Sequence, residues 1–174
     1  MVSTPPPARP LPGTRLPDVS FPLLDGGEWR PGGGAALLDL YRGLHCPRCR
    51  THLEGMAEFA TEFAGASHPI VAVSMDPSER AERARTEWAL DGIALGHSLR
   101  EADARALGAF VSTAIRDAET GTFAEPATLV VDADGTLYGG VWNSFPFARP
   151  APADLLEILS VRAERGYPPR GTRA

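Results

Sequence analysis

Cys46 and Cys49 are the only two cysteines in a chain of 174 residues, and both fall in the segment YRGLHCPRC, residues 41–49. Thiols at this spacing can cycle between dithiol and disulfide, share a metal ion, or sit unreactive in a core. The local sequence favours the first use. A short apolar run, AALLDLY, leads straight into the pair, and an amphipathic pattern starts at Cys46. The sulfurs therefore fall where a helix N-terminus leaves backbone N–H groups unpaired and favours an anion. A free thiol titrates near about 8.5, and Cys-x-x-Cys thiols at helix starts commonly titrate lower. The neighbouring cations Arg48 and Arg50 push the same way. One helical turn brings residues three apart onto one face, within reach of a disulfide, so each cysteine is the natural partner of the other.

Three other readings stay open at this stage. A zinc site would combine Cys46 and Cys49 with two of His45, His52, His68 and His97. The chain has no second Cys-x-x-Cys and no His-x3-His, and His45, adjacent to Cys46, is an awkward chelating partner. The thiols could be inert core groups, although these seldom stand at a helix start beside arginines. A binding module that kept the fold and lost the chemistry is the third.

The elements that position the pair follow from periodicity. Ala35 to Tyr41 reads as a buried strand, and Leu53, Met56, Ala57, Ala60, Phe63 and Ala64 form one face of a helix begun by Pro47. HPIVAVSMD reads as a second buried strand, PSERAERARTEWAL as a charged helix, DGIALGHSL as a weak strand and READARALGAF as a short helix. EPATLVVDADGTLYGGVW is a hairpin turning at Asp134-Gly135, and APADLLEILSVRAERG closes as an amphipathic helix stopped at Gly166. Strands alternating with helices imply an α/β domain, with a largely parallel sheet covered on both faces and an antiparallel hairpin at one side. Residues 1–12 read as a disordered proline-rich tail, and 13–174 as one domain.

Composition excludes other classes. A chain that is 43% hydrophobic and 22% charged can bury one core, and its net charge of -5, with basic residues dispersed, offers no patch for nucleic acid or an anionic membrane. No apolar run is long enough for a signal peptide or a membrane span. A cytoplasmic setting is expected, where a structural disulfide is rare and a lone Cys-x-x-Cys reads first as redox or metal chemistry.

The succession LPDVSFPLLDGGEW, a strand, YRGLHCPRCRTHL, IVAVSMD and EPATLVVDADGTLY resembles the redoxin and peroxiredoxin-like branch of the thioredoxin superfamily, the alkyl hydroperoxide reductase and thiol-specific antioxidant group. NSFPFARP and YPPRG extend the likeness to about Gly13–Gly171. The resemblance implies a thioredoxin-like fold and an antioxidant oxidoreductase acting on peroxides or disulfides through a redox-active disulfide. It also implies an external thiol or thioredoxin-type electron donor, and no cofactor or metal. It makes Pro126, ahead of the ATLVVD strand, similar to the cis-proline that faces the redox pair in thioredoxins; the plain alternative is a strand-initiating trans proline. Supporting roles near the pair fall to His45, Pro47, Arg48, Arg42 and Arg149.

The likeness also departs from the family pattern. Aligned to Pro-x3-Thr-x2-Cys of peroxiredoxins, Cys49 takes the place of the peroxide-reacting cysteine, Arg42 that of the proline and Cys46 that of the threonine. A strand arginine of that family falls near Pro126, so Arg42 or Arg149 would have to substitute for it, unless each is simply a solvated arginine. A thioredoxin-like reading assigns the roles the other way, with Cys46 attacking and Cys49 resolving; Cys49 stays the expected sulfur if peroxide is the substrate. Trp142, Phe145 and Phe147 in WNSFPFARP are expected to cover a homodimer surface or the rim of the active site, or to be ordinary core.

Overall fold

The computed structural model describes residues 9–173. Its centre is a five-stranded sheet built from β3 (Ala36–Leu40), β4 (Ile70–Val73), β5 (Ala94–Gly96), β8 (Ala127–Val131) and β9 (Leu137–Trp142). The order is β5-β4-β3-β8-β9, parallel across β5, β4 and β3 and antiparallel from β3 to β8 and β9. The Asp134-Gly135 hairpin lies on one side as expected, but two of the four pairings are antiparallel, so the sheet is mixed rather than largely parallel.

β3 shows why its sequence is a continuous apolar run. Leu37 and Tyr41 pack on one face of the sheet, Ala36, Leu38 and Leu40 on the other, and all five are buried. The first face is covered by α1 (Pro47–Ala57), α2 (Ala60–Gly65), α3 (Ser78–Glu87) and α5 (Pro152–Arg165). The second is covered by the hairpin of β1 (Phe21–Pro22) and β2 (Glu28–Trp29), together with α4 (Glu101–Ala106). Removing a side chain such as Leu53 or Leu37, each fully buried, would cost about 2–5 kcal/mol. Asp39 is the one polar residue in this strand; its carboxylate accepts from Thr128 Oγ1 at 2.8 Å and meets His52 Nε2 of α1 at 2.9 Å. The buried carboxylate is thus satisfied, and it ties the helix carrying the cysteines to the middle of the sheet.

Several expectations need adjustment. The single helix expected after Cys46 is two, because Glu58 closes α1 and Phe59 leaves helical geometry at φ −107°. A hairpin absent from the sequence reading, β6 (Val111–Thr113) with β7 (Thr122–Ala124), stands outside the main sheet. The disordered tail expected over 1–12 lies mostly outside the described residues. Of its described part, Arg9 lies over the rings of Phe110 and Trp142, at 5.1 and 5.0 Å, and just beyond it Gly13 N–H donates to Leu137 O at 2.7 Å. Gly166 ends α5 in the left-handed region at φ 62°, as its position predicts. Among the described residues no helix is long and apolar enough to cross a membrane.

Candidate active site

The segment between β3 and α1 sets the geometry of the cysteines. Gly43 turns the chain at φ 129°, where a side chain would be strained and a Cβ would stand 2.7 Å from Asp76 Oδ2. Leu44 N–H then donates to the same Asp76 oxygen at 2.7 Å, and Cys46 N–H donates to Gly43 O at 3.0 Å. Cys46 arrives extended, at φ −98° and ψ 103°, and serves as the N-cap of α1. Its Sγ accepts from the backbone N–H of Cys49 at 3.1 Å. Pro47 occupies the first turn, where a missing N–H costs nothing.

This arrangement drives the two thiols apart. The Cys49 thiol donates to Cys46 sulfur, and the Cys49 N–H, Arg149 and Arg42 add to its effect. Together they outweigh burial and lower the Cys46 thiol to about 6. Cys49 is pushed well above the ordinary thiol value, first by burial and then by its charged neighbour Cys46. Its Sγ nevertheless has two donors of its own, Arg42 N–H at 3.4 Å and Arg149 Nη2 at 3.3 Å. The pair is therefore a thiolate at the helix tip and a protonated thiol one turn deeper, with cationic partners already on the deeper sulfur.

A cleft of about 290 Å³ opens onto Cys46, lined by Arg42, Pro47, Arg48, Ile115, Arg116, Glu119, Pro146 and Phe147. Cys46 forms part of its wall although only 2% exposed; Cys49 is fully buried and does not line the cleft. Arg42 lies across Phe123, 4.6 Å from the ring centroid, with Glu125 and Glu119 carboxylates at 3.3 and 3.7 Å. Asp76, buried, holds the neighbourhood together. Besides Leu44 N–H it accepts from Arg80 Nε of α3 at 3.0 Å and from Thr120 Oγ1 in the β6–β7 loop at 2.9 Å.

The expected site residues divide accordingly. Pro47, Arg48 and Arg42 line the cleft beside Cys46, and Arg149 reaches Cys49 from a segment 100 residues away. His45 lays its ring 4.9 Å from that of Phe123, and neither of its buried nitrogens finds a partner; burial, then Arg42, lowers its pKa and keeps the ring neutral. Arg50 pairs with Glu54 on the surface. The cis geometry expected at Pro126 is corrected: no cis peptide bond occurs among the described residues. Glu125 and Pro126 continue β7 directly into β8, and the Pro126 carbonyl accepts from Asn143 N–H at 2.9 Å, so the proline initiates a strand in trans. Trp142 is half-buried and donates to Leu107 O, whereas Phe145 and Phe147 stand 68% and 63% exposed, Phe147 at the cleft rim. Of the histidines, His52 is bound to Asp39, His68 to Ala66 O and His97 to Ser98. Among the described residues no three metal-ligating side chains converge. The sequence reading missed Asp76, Ile115, Arg116 and Glu119.

A mixed sheet covered on both faces, with a Cys-x-x-Cys opening the helix after its central strand, defines a thioredoxin-like domain of the redoxin type. The chain belongs to the AhpC/TSA family, whose model matches residues 12–139. No curated protein matches it. Among solved structures it is similar to peroxidoxin BcpB from Mycobacterium tuberculosis, at 21% identity and TM-score 0.69, over 90% of this chain and 99% of that one. It is also similar to a peroxiredoxin-like protein from Aquifex aeolicus, at 15% identity and TM-score 0.73, over 89% of each chain. Reduced Prx3 from Vibrio vulnificus, solved in complex with hydrogen peroxide, shares 18% identity at TM-score 0.72, over 85% and 97%. Arg149, Pro146 and Phe147 all lie beyond the residues that the family model matches.

Proposed function

We propose that this protein is a thiol-dependent oxidoreductase that reduces peroxides, or disulfides, by cycling Cys46 and Cys49 between dithiol and disulfide. The supporting observation is the division of labour within one helical turn: Cys46 faces the cleft with its thiol lowered to about 6, and Cys49 is held protonated behind it. With a hydroperoxide, the Cys46 thiolate attacks the outer oxygen and the O–O bond breaks. The alkoxide leaves and takes up a proton as the alcohol, and Cys46 becomes a sulfenic acid. Cys49 then gives up its proton, its charge held by Arg149 and Arg42 N–H, and attacks the Cys46 sulfur. An S–S bond forms and the hydroxyl departs as water. An external thiol or thioredoxin-type donor supplies two electrons to restore both thiols and leaves as its own disulfide. With a disulfide substrate, the same thiolate forms a mixed disulfide that Cys49 resolves.

A second reading rests on the donors around Cys49. Arg42 N–H and Arg149 would favour Cys49 as the peroxide-reacting sulfur, as its alignment to the peroxiredoxin motif implies. Complete burial and the raised thiol weigh against it in the dithiol state. The two readings separate on single variants. Cys49→Ser treated with peroxide should accumulate sulfenic acid on Cys46, trapped by dimedone and located by mass spectrometry, while Cys46→Ser should stay reduced. Sulfenic acid on Cys49 in Cys46→Ser would reverse the roles. Full turnover surviving in both variants would end the dithiol cycle.

A further inference from the structure

We infer that Arg48 and Arg116 are specificity determinants of the Cys46 cleft, and that they select small hydroperoxides carrying one carboxylate on an apolar body. The inference rests on the peroxidase reading of the same site and adds to it the chemistry of the substrate beyond the O–O bond. The cleft, at about 290 Å³, is at the low end of sites that hold small organic ligands, and hydrogen peroxide would occupy only a fraction of it. Besides its charged residues, its wall carries four apolar ones: Pro47, Pro146, Phe147 at 63% exposure and Ile115 at 84%. Four apolar side chains left open around a reactive sulfur suit a carbon skeleton better than a bare peroxide.

The cations of this cleft are not equivalent. Arg42 is already matched by Glu119 and Glu125. Among the described residues neither Arg48 nor Arg116 is paired with a carboxylate, and both are exposed. The Arg48 guanidinium rests 5.4 Å from the centre of the Phe147 ring, a contact that uses none of its N–H groups on a carboxylate. Two unmatched guanidiniums at the mouth of one cleft, in a chain of net charge -5, are a local reversal of sign. A guanidinium fork binds a planar carboxylate through two parallel N–H···O bonds, and a carboxylate is the anionic group most readily carried by a small apolar organic hydroperoxide. The same cations offset the repulsion such a substrate would meet from the Cys46 thiolate.

The test uses an unreactive probe and a matched substrate pair. Sodium octanoate should slow alkylation of Cys46 by iodoacetamide in a saturable way, while methyl octanoate at equal concentration should not. In the double variant Arg48→Met/Arg116→Met the octanoate concentration needed should rise about tenfold, the size expected for two solvent-facing ion pairs. In parallel, the rate constants for Cys46 oxidation by a carboxylated tertiary hydroperoxide and by its methyl ester are compared. Their ratio should exceed one in the native protein, fall toward one in the double variant, and shrink with added salt. Equal or absent protection by octanoate and its ester overturns the inference, as does a ratio that the double variant leaves unchanged. If no hydroperoxide is consumed yet octanoate still protects, the peroxidase reading fails and the cleft assignment stands. If both hydroperoxides are consumed equally and octanoate gives no protection, the assignment fails alone.

Discussion

Replacing Cys49 with alanine removes the strongest influence on Cys46, the thiol that donates to its sulfur, and leaves the backbone N–H, Arg149 and Arg42 in place. In the native protein a thiol lowered to about 6 is about 90% thiolate at pH 7, against about 3% for a free thiol at about 8.5. The gain in rate is smaller than that ratio. A less basic thiolate is a poorer nucleophile, and a fall from about 8.5 to about 6 with a Brønsted slope near 0.45 costs about thirteenfold. Relative to a free cysteine the net advantage is about twofold at pH 7 and about 18-fold at pH 5.5, and it reverses above about pH 7.4. Restricted access through the cleft scales the whole curve down without moving its midpoint. The assay is therefore the pH dependence of iodoacetamide alkylation, followed on the intact protein by mass spectrometry. Native protein should show one reactive thiol with a midpoint near 6 and a plateau above neutrality. Cys49→Ala should move the midpoint upward, and Cys46→Ser should leave Cys49 unmodified over the same range. A native midpoint at or above about 8, or one that Cys49→Ala does not shift, would refute the thiolate assignment.

Folding stability should rise with pH between about 6 and about 8.5, because the unfolded chain binds the Cys46 proton that the folded state has released; denaturant titrations of native protein and Cys46→Ser should differ by that slope. Gly43→Ala places a methyl against the Asp76 carboxylate at a positive φ, and should cost about 2 kcal/mol or more by urea denaturation while raising the Cys46 midpoint. Asp76→Ala strands Arg80, Thr120 and Leu44 N–H together, and a loss of about 3 kcal/mol is expected in the same measurement, with less for Asp76→Asn. A homodimer formed across the exposed Phe145 and Phe147 would double the 18.5 kDa mass in light scattering, and a monomer mass at micromolar concentration would remove it.

What was legible in the sequence was whatever a local period or a fixed spacing could carry. The strand before the cysteines, the helix start at Pro47, the Asp134-Gly135 hairpin and the Gly166 stop each rest on a few neighbouring residues, and each stands in the structure. The parts that complete the site depend on contacts between distant residues. Asp76, in SMDPSER, reads as an ordinary residue ahead of a helix, yet its carboxylate faces the turn before Cys46. The strands β6 and β7 are three residues long around a polar loop, too short to show alternation, although that loop supplies Ile115, Arg116 and Glu119. Arg149 stands in a segment without period, and only its 3.3 Å approach to Cys49 distinguishes it from a solvated arginine. Pro126 shows the opposite failure, where a family likeness suggested an isomer and the continuous passage of β7 into β8 fixed the other.

The asymmetry of the two cysteines follows from their places in one helical turn together with the deeper burial of Cys49. A residue at the N-cap can accept from the N–H three positions on, and a residue in the first turn can only offer that N–H. The backbone thus assigns acceptor to Cys46 and donor to Cys49 before any charge is considered, and the thiol of Cys49 repeats the assignment. In the dithiol state Arg42 N–H and Arg149 face the sulfur that carries no charge. In the cycle proposed above their position suits the next step, when Cys46 has been oxidised, its negative charge is gone, and the thiolate to be formed is Cys49. Arg149→Met should therefore leave the first oxidation of Cys46 less affected than closure of the disulfide. Stopped-flow measurements after a single equivalent of peroxide would show this as a slowed second phase, with sulfenic acid persisting in between. A slowed first phase with an unchanged second would place Arg149 with the attacking sulfur instead.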